Sequence, residues 1–318
     1  MTLPTLTIIS EKYCDLNPTG TRSTSHTTIY KTAVRSEQFS FVQHLYLEDL
    51  WQKYFRHIDD ILLDMDSYGI RKTDIYFISW IGDAFINPTS RSLGAIPGKK
   101  VFIWPDTGWG WMPGALNRTN EAANYHLSYD TYNTEVINEH IYPKKLYLFG
   151  TPQDPDIFHD DTKELDVCFS GTIYEARKPY FEKLKALRTD SSLKLYLHEG
   201  QRVQNISADS YAENMRKSRI NIDLPFSPNG TVTIKGRVYE ALACNSLLLE
   251  YKNLEIEKMF KDGEHYVSFT SPEDMLDKIS YFLKNTEEAE GIAKNGYNYY
   301  NTNYSPKVFW KRVVETDS

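Results

Sequence analysis

The second half of the chain alternates short apolar runs with amphipathic stretches, and this rhythm limits its possible folds more than any other feature. From residue 165 the spacing predicts strands at Asp166–Ser170, Leu193–Leu197, Ile220–Leu224, Leu247–Glu250 and Tyr266–Phe269. Helices fall between and after them, over about Ala176–Arg188, Ala208–Ser218, Lys235–Cys244, Leu254–Phe260 and Pro272–Lys284. Ser207 is placed to cap one helix. Ser271-Pro272-Glu273-Asp274 joins a capping hydroxyl, a proline at the first helical position and two acids in the first turn. Strand–helix alternation at this spacing gives a parallel, doubly wound sheet. Right-handed crossovers then gather the strand C-termini, and any ligand, at one edge.

The first half is less regular but also reads as α/β. Leu6–Ser10, Thr28–Val34, Asp74–Trp80, Lys100–Trp104, Tyr125–Tyr129 and Lys145–Phe149 are predicted strands, and Phe41 to about Met65 a helix. Between the halves, GTPQDPDIFHDDTKE (150–164) carries two prolines, five acids and few apolar residues, which is linker composition. The expected organisation is a domain over 1–150, a linker over 151–164 and a second domain over 165–285. The tyrosine-rich helical stretch 286–318 is expected to pack back across the junction.

Composition narrows the function. A net charge of -7 over 318 residues removes the general attraction to phosphate backbones that nucleic-acid binders use. Three scattered cysteines, Cys14, Cys168 and Cys244, argue against a disulfide framework; the last two sit in apolar runs and read as buried. There is no apolar run of membrane-spanning length and no basic region leading into a long apolar stretch at the N-terminus. A cytoplasmic protein without integral membrane association is expected.

Two segments carry chemistry. In DVCFSGTIYEARKPY (166–180) a buried strand runs through Gly171 and Thr172 into a helix, with Arg177 and Lys178 in its first turn. Glycine lets backbone approach a ligand, and a helix N-terminus offers unpaired N–H groups. Cations beside that positive end are best explained by an anion such as a diphosphate. The plainer reading is a strand–turn–helix with solvated charges. In INIDLPFSPNGTVTIKGRVYEALACNSLLLE (220–250) a strand ends at Asp223 and a helix opens near Lys235. Arg237 and Glu240, three apart, share one face near its start, either as cation and ribose-binding carboxylate or as a weak surface pair. The glycine and lysine order excludes a P-loop.

FSGTIYEARKPYFEKL and GRVYEALACNSLLLE together resemble GT-B glycosyltransferases of the group-1 clan, in particular the CgeB-like (spore maturation) branch. The resemblance covers about residues 145–285 and is most specific over Arg237–Cys244. It implies two Rossmann-like domains facing a central cleft, and a nucleotide-sugar substrate (UDP- or GDP-sugar) with no cofactor required. It also implies metal-independent transfer, with retention of configuration, to a hydroxyl acceptor. Glu240 corresponds to the clan's ribose carboxylate, Arg177 with Lys235 or Arg237 to its diphosphate cations, and Gly171-Thr172 to its glycine turn. Lys178 is grouped with them as donor-binding. Two positions depart from the pattern: the clan's second glutamate is here Val232, and the glycine after its cysteine is Asn245, which can also take a left-handed cap.

On the acceptor side, KKVFIWPDTGWGWMPG (99–114) places Asp106 after a strand and Trp109 in a Gly/Trp loop. Asp106 is the candidate for orienting or deprotonating an acceptor hydroxyl, and Trp109 or Trp111 for stacking on it; a loop anchored by buried tryptophans is the alternative. Asp83 and Asp130 are similar strand-end carboxylates, and His198 follows a strand whose end would face a cleft. Asp64-x-Asp66 reads as a helix end rather than a metal motif, and no His/Cys cluster has zinc spacing. Polysaccharide, protein, small-molecule and modified-DNA acceptors all remain open. So do a nucleotide-sugar epimerase or hydrolase and a non-catalytic binding protein on the same fold.

Overall fold

The computed structural model describes residues 2–10, 24–79, 88–104, 120–128, 134–142, 144, 146–189, 192–199, 206–227 and 230–316. The chain divides into two compact units, one formed by Met1–Pro152 with Pro306–Ser318 and the other by Gln153–Ser305.

The first unit holds β1 (Thr5–Ser10), α1 (Thr24–Arg35), β2 (Phe41–Tyr46), α2 (Leu47–Tyr54), α3 (Ile58–Leu63), β3 (Ile75–Ser79), α4 (Ser90–Ala95), β4 (Lys99–Trp104), β5 (Tyr125–Ser128), α5 (Thr134–Ile141) and β6 (Leu146–Leu148). Its six strands form a parallel sheet in the order β2-β1-β3-β4-β5-β6. Two expectations are corrected here. Residues 28–34 are helix, not strand: Ile29, Thr32, Ala33 and Ser36 are buried, which is a 3.6-residue period that β-branched residues had masked. Residues 41–46 are strand, not helix, and pair in register with β1 from Thr5–Phe41 to Ser10–Tyr46. The helical part of 41–65 begins at Leu47. Asp64 and Asp66 do lie at a helix end, with Asp66 paired to Lys72 at the surface.

The second unit holds β7 (Leu165–Gly171), α6 (Lys178–Ala186), β8 (Leu195–Glu199), α7 (Ala208–Arg216), β9 (Ser218–Asp223), α8 (Gly236–Ala243), β10 (Leu247–Tyr251), α9 (Leu254–Glu257), β11 (Val267–Phe269), α10 (Pro272–Lys284) and α11 (Thr286–Asn303). Here the strand rhythm of the sequence and the structure agree closely. Ser207 Oγ accepts from the Ser210 amide at 3.1 Å and Ser271 Oγ from the Asp274 amide at 3.0 Å, so both caps are formed. All strands are parallel, in the order β11-β10-β9-β7-β8. The chain moves outward from β7 to β8, then returns to the other side of β7 to form β9. That reversal makes the C-terminal edge between β7 and β9 the topological switch point, the place where doubly wound sheets bind ligands. Val167, Phe169, Ile220, Ile222, Leu247 and Leu249 build the apolar layer beneath it. Cys168 and Cys244 are both free and buried.

The tyrosines of α11 are spent inside the second unit. Tyr299 stacks on His265 at 4.2 Å, and Tyr304, just beyond the helix, meets Tyr239 and Phe260 at 5.6 and 5.1 Å. At Gly296 α11 packs tightly: a Cβ there would lie 2.7 Å from Leu242 Cδ2 and nearer still to the His265 carbonyl oxygen. A final helix, α12 (Pro306–Glu315), belongs to the first unit. Its Phe309, Trp310 and Val313 are fully buried in the core that holds Phe77 and Tyr125. Trp310 Nε1 donates to Thr32 Oγ1 at 3.0 Å and Tyr125 OH to the Val313 carbonyl at 2.9 Å.

Candidate functional site

The switch point of the second unit is built from the end of β7, the end of β9 and the start of α8. β7 closes on Ser170-Gly171, and a Cβ on Gly171 would sit 3.2 Å from both terminal nitrogens of Arg237. Glycine is therefore what lets a guanidinium rest on the strand end. Arg237 Nη1 donates to Asp223 Oδ1 at 2.7 Å, with Asp223 wholly buried and the arginine side chain 16% exposed. Burial works against the charge on Arg237, but Asp223, Tyr211 and Glu240 outweigh it and raise its pKa. The α8 N-terminus opens in the same place: Lys235 is its N-cap residue and no side chain among the described residues caps it. Its first amides thus add positive potential at this edge.

The other expected donor-side residues take distinct places. Glu240 is only 2% exposed and accepts a 2.6 Å hydrogen bond from Tyr211 OH. Burial, then Glu240, pushes the Tyr211 pKa up and keeps the phenol a donor. The sequence alternative of an Arg237–Glu240 surface pair is replaced by two buried contacts, one to Asp223 and one to Tyr211. Lys235 Nζ donates to Ser227 Oγ and Thr233 Oγ1 at 2.9 and 2.6 Å, tying the preceding loop to the helix start. Arg177 is 3% exposed, and its terminal nitrogens donate to the carbonyls of Thr172 and Phe226 at 2.8 and 2.7 Å. It thereby joins the loops after β7 and β9. Burial, then repulsion from Arg237, lowers its pKa to about 10. Thr172 is exposed. Lys178 is also exposed and paired with Glu175 at 2.5 Å, a surface contact of little energy. His198 is brought to the same edge, in register with Ser170 and 3.5 Å from its hydroxyl.

Sequence reasoning missed Asp223, Tyr211 and Glu250 as members of this cluster. Asp223 and Glu250 were nevertheless visible as acids closing consecutive apolar runs, INID and LLLE. Nothing in the sequence singles out Tyr211. On the first unit, Asp83, Asp106, Trp109, Trp111 and Asp130 lie outside the described residues. The strand leading to Asp106 is firmly held: Trp104 Nε1 donates to His126 Nδ1 at 3.0 Å, which leaves His126 Nε2 to donate to Asn120 Oδ1 at 3.1 Å. Burial lowers the His126 pKa to about 3, with Lys144 adding to the effect, so the ring is neutral. Among the described residues no three His, Cys, Asp or Glu side chains gather as metal ligands, and no helix is long and apolar enough to cross a membrane.

Residues 161–314 match the family model described as Glycosyl transferase-like. No curated relative matches the sequence. Among solved structures, HepE of Anabaena in complex with UDP and glucose superposes with a TM-score of 0.61 at 9% identity, over 98% of each chain. An alpha-glucosyltransferase in complex with UDP-glucose and DNA containing an abasic site gives 0.62 at 11%, over 98% of each chain. A glycosyltransferase from Rickettsia africae gives 0.60 at 8%, over 99% of this chain and 97% of that one. The two parallel α/β sheets described above are those of the GT-B fold.

Proposed function

We propose that this chain, which carries a glycosyl transferase-like domain on a GT-B fold, transfers a sugar from a nucleotide-sugar donor to a hydroxyl acceptor. The observation that carries the reading is the meeting of Gly171, Arg237 and the α8 N-terminus at the switch point. A diphosphate seated there would face a guanidinium, a lysine and the N-terminal amides of α8. Bond cleavage at the sugar carbon leaves negative charge on the departing nucleoside diphosphate, and these groups are pre-arranged to stabilise it without a metal. UDP-sugars are the first donors to test, because solved structures of the same fold hold UDP or UDP-glucose; GDP-sugars come second. The CgeB-like branch, retention of configuration and a cytoplasmic setting complete the reading and rest on the sequence. Glu240 is assigned to the donor ribose, shared with Tyr211. His198 is assigned to the catalytic edge, and Asp106 to the acceptor hydroxyl.

Incubation with a panel of UDP- and GDP-sugars, with and without candidate acceptors, tests this directly. Acceptor-dependent release of nucleoside diphosphate is expected. Acceptor-independent turnover would replace the transferase with a hydrolase or epimerase, and no binding of any nucleotide sugar would remove both. Glu240→Ala should weaken donor binding at least ~10-fold, the loss of one charge-assisted hydrogen bond of about 1.5–3 kcal/mol, with the fold retained. Unchanged affinity would strip Glu240 of its assignment.

A further inference from the structure

Asp223 and Glu250 end adjacent strands, β9 and β10, and are direct register partners, so their side chains leave the same face of the sheet. Both are wholly buried. Asp223 Oδ1 is taken by Arg237, but among the described residues no donor makes a hydrogen bond of ordinary geometry to Asp223 Oδ2 or to either oxygen of Glu250. As two carboxylates they form a repulsive contact with no bond between them. With one proton between them they form a single strong hydrogen bond, which gives Asp223 Oδ2 and one Glu250 oxygen a partner.

Charge counting supports the second state. Arg177 and Arg237 bring two positive charges to this cluster, and Asp223 and Glu240 already balance them. A charged Glu250 would be an uncompensated buried anion. The groups around Glu250 are Asp223 on β9, Arg237 on α8, Asn253 at the start of α9, Tyr266 before β11 and Arg177 after β7. Burial and Asp223 favour its neutral form, and they outweigh Asn253 and Arg237, which favour the charged one. Glu250 is therefore held in its protonated form beside Asp223.

We propose that Glu250 is a positioning residue of the donor site: it holds a proton shared with Asp223, which leaves one carboxylate charge to fix Arg237 on Gly171. The inference rests on the donor reading for its function, but the shared proton exists without donor. Two-carboxylate repulsion is relieved, Asp223 is held from one side by Glu250 and from the other by Arg237, and the guanidinium is set before a diphosphate arrives.

The test has a donor-free arm and a donor arm. Infrared spectra of the wild type at pH 7–8 should show a protonated carboxylic acid band that shifts in heavy water and is missing from Glu250→Gln. Its absence from the wild type would overturn the proposal. In the donor arm, UDP is titrated calorimetrically. Glu250→Ala, which leaves Asp223 Oδ2 without a donor, should lose at least ~10-fold in affinity, and Glu250→Gln, a neutral donor of similar shape, should restore it to within about threefold. If Glu250 were ionised, Glu250→Gln would remove a negative charge beside the diphosphate and tighten UDP at least ~10-fold; that result, or equal losses in both variants, refutes the positioning role. Wild-type protein that shows the infrared band yet binds no UDP would defeat the donor reading and leave the shared proton standing.

Discussion

Arg237→Met isolates the contact on which the site is built. Methionine and arginine have similar helix propensities, so α8 itself loses little. What is lost is the partner of a carboxylate that is wholly buried and 2.7 Å away. Two unit charges about 4 Å apart interact by about 4 kcal/mol at an effective dielectric near 20, and removing one member of a buried pair typically costs about 3–5 kcal/mol. Taking roughly 3–4 kcal/mol, and about 2–4 °C per kcal/mol for a unit of ~150 residues, the expected fall in Tm is on the order of 10 °C. Asp223→Asn in the Arg237→Met background leaves a neutral amide rather than a stranded charge. The double variant should be more stable than the sum of the two single losses by about 1–3 kcal/mol. Thermal unfolding by circular dichroism measures this. Tryptophan emission serves as a separate reporter of the first unit, where all six tryptophans lie. Strict additivity of the two substitutions, or an Arg237→Met melting temperature within about 2 °C of wild type, would refute the view of Arg237 and Asp223 as a coupled buried pair.

Two further outcomes follow from other contacts. Gly296→Ala gains about 1 kcal/mol of helix propensity, but its Cβ meets Leu242 at 2.7 Å and a backbone carbonyl that cannot turn aside. Overpacking of about 1–3 kcal/mol should win, lowering the urea midpoint; a raised midpoint would contradict the close approach. Burial lowers His44 to about 4 and His126 to about 3, below their unfolded value near 6.5. The unfolded chain therefore binds more protons below pH 6.5. Stability of the first unit should be full above that pH and fall by about 1.4 kcal/mol per unit per histidine on acidification toward pH 4. A His44→Gln/His126→Gln variant should show a flatter profile, and an unchanged slope would exclude the two rings as its source.

Legibility from sequence followed the number of neighbours that decide each element. Strands buried on both faces, such as Leu247–Tyr251, read as apolar runs bounded by polar loops, and the capped helix Pro272–Lys284 was readable to the residue. In the first unit local preference misled. Thr28–Val34 is rich in β-formers yet folds as helix because Ile29, Thr32 and Ala33 face one core. Phe41–Tyr46 joins the sheet because β1 offers it an edge, a long-range event that no local window contains. At the site, the residue types near the ligand edge were visible, but not their partners. The pairing of Arg237 with Asp223 rather than Glu240, and of Glu240 with Tyr211, is set by how α7, α8 and β9 pack. Asn245 does take the left-handed conformation, with φ of 51°, which its place after a helix suggested.

The seat of α12 in the first unit has a consequence for synthesis. A ribosome delivers β1 to β6 first, then the whole second unit, and only then Phe309, Trp310 and Val313, which fill the centre of the first. The unit begun earliest is finished last. The nascent sheet must wait with an open hydrophobic face while the later unit folds, so early release of the chain would expose that face to aggregation or chaperone capture.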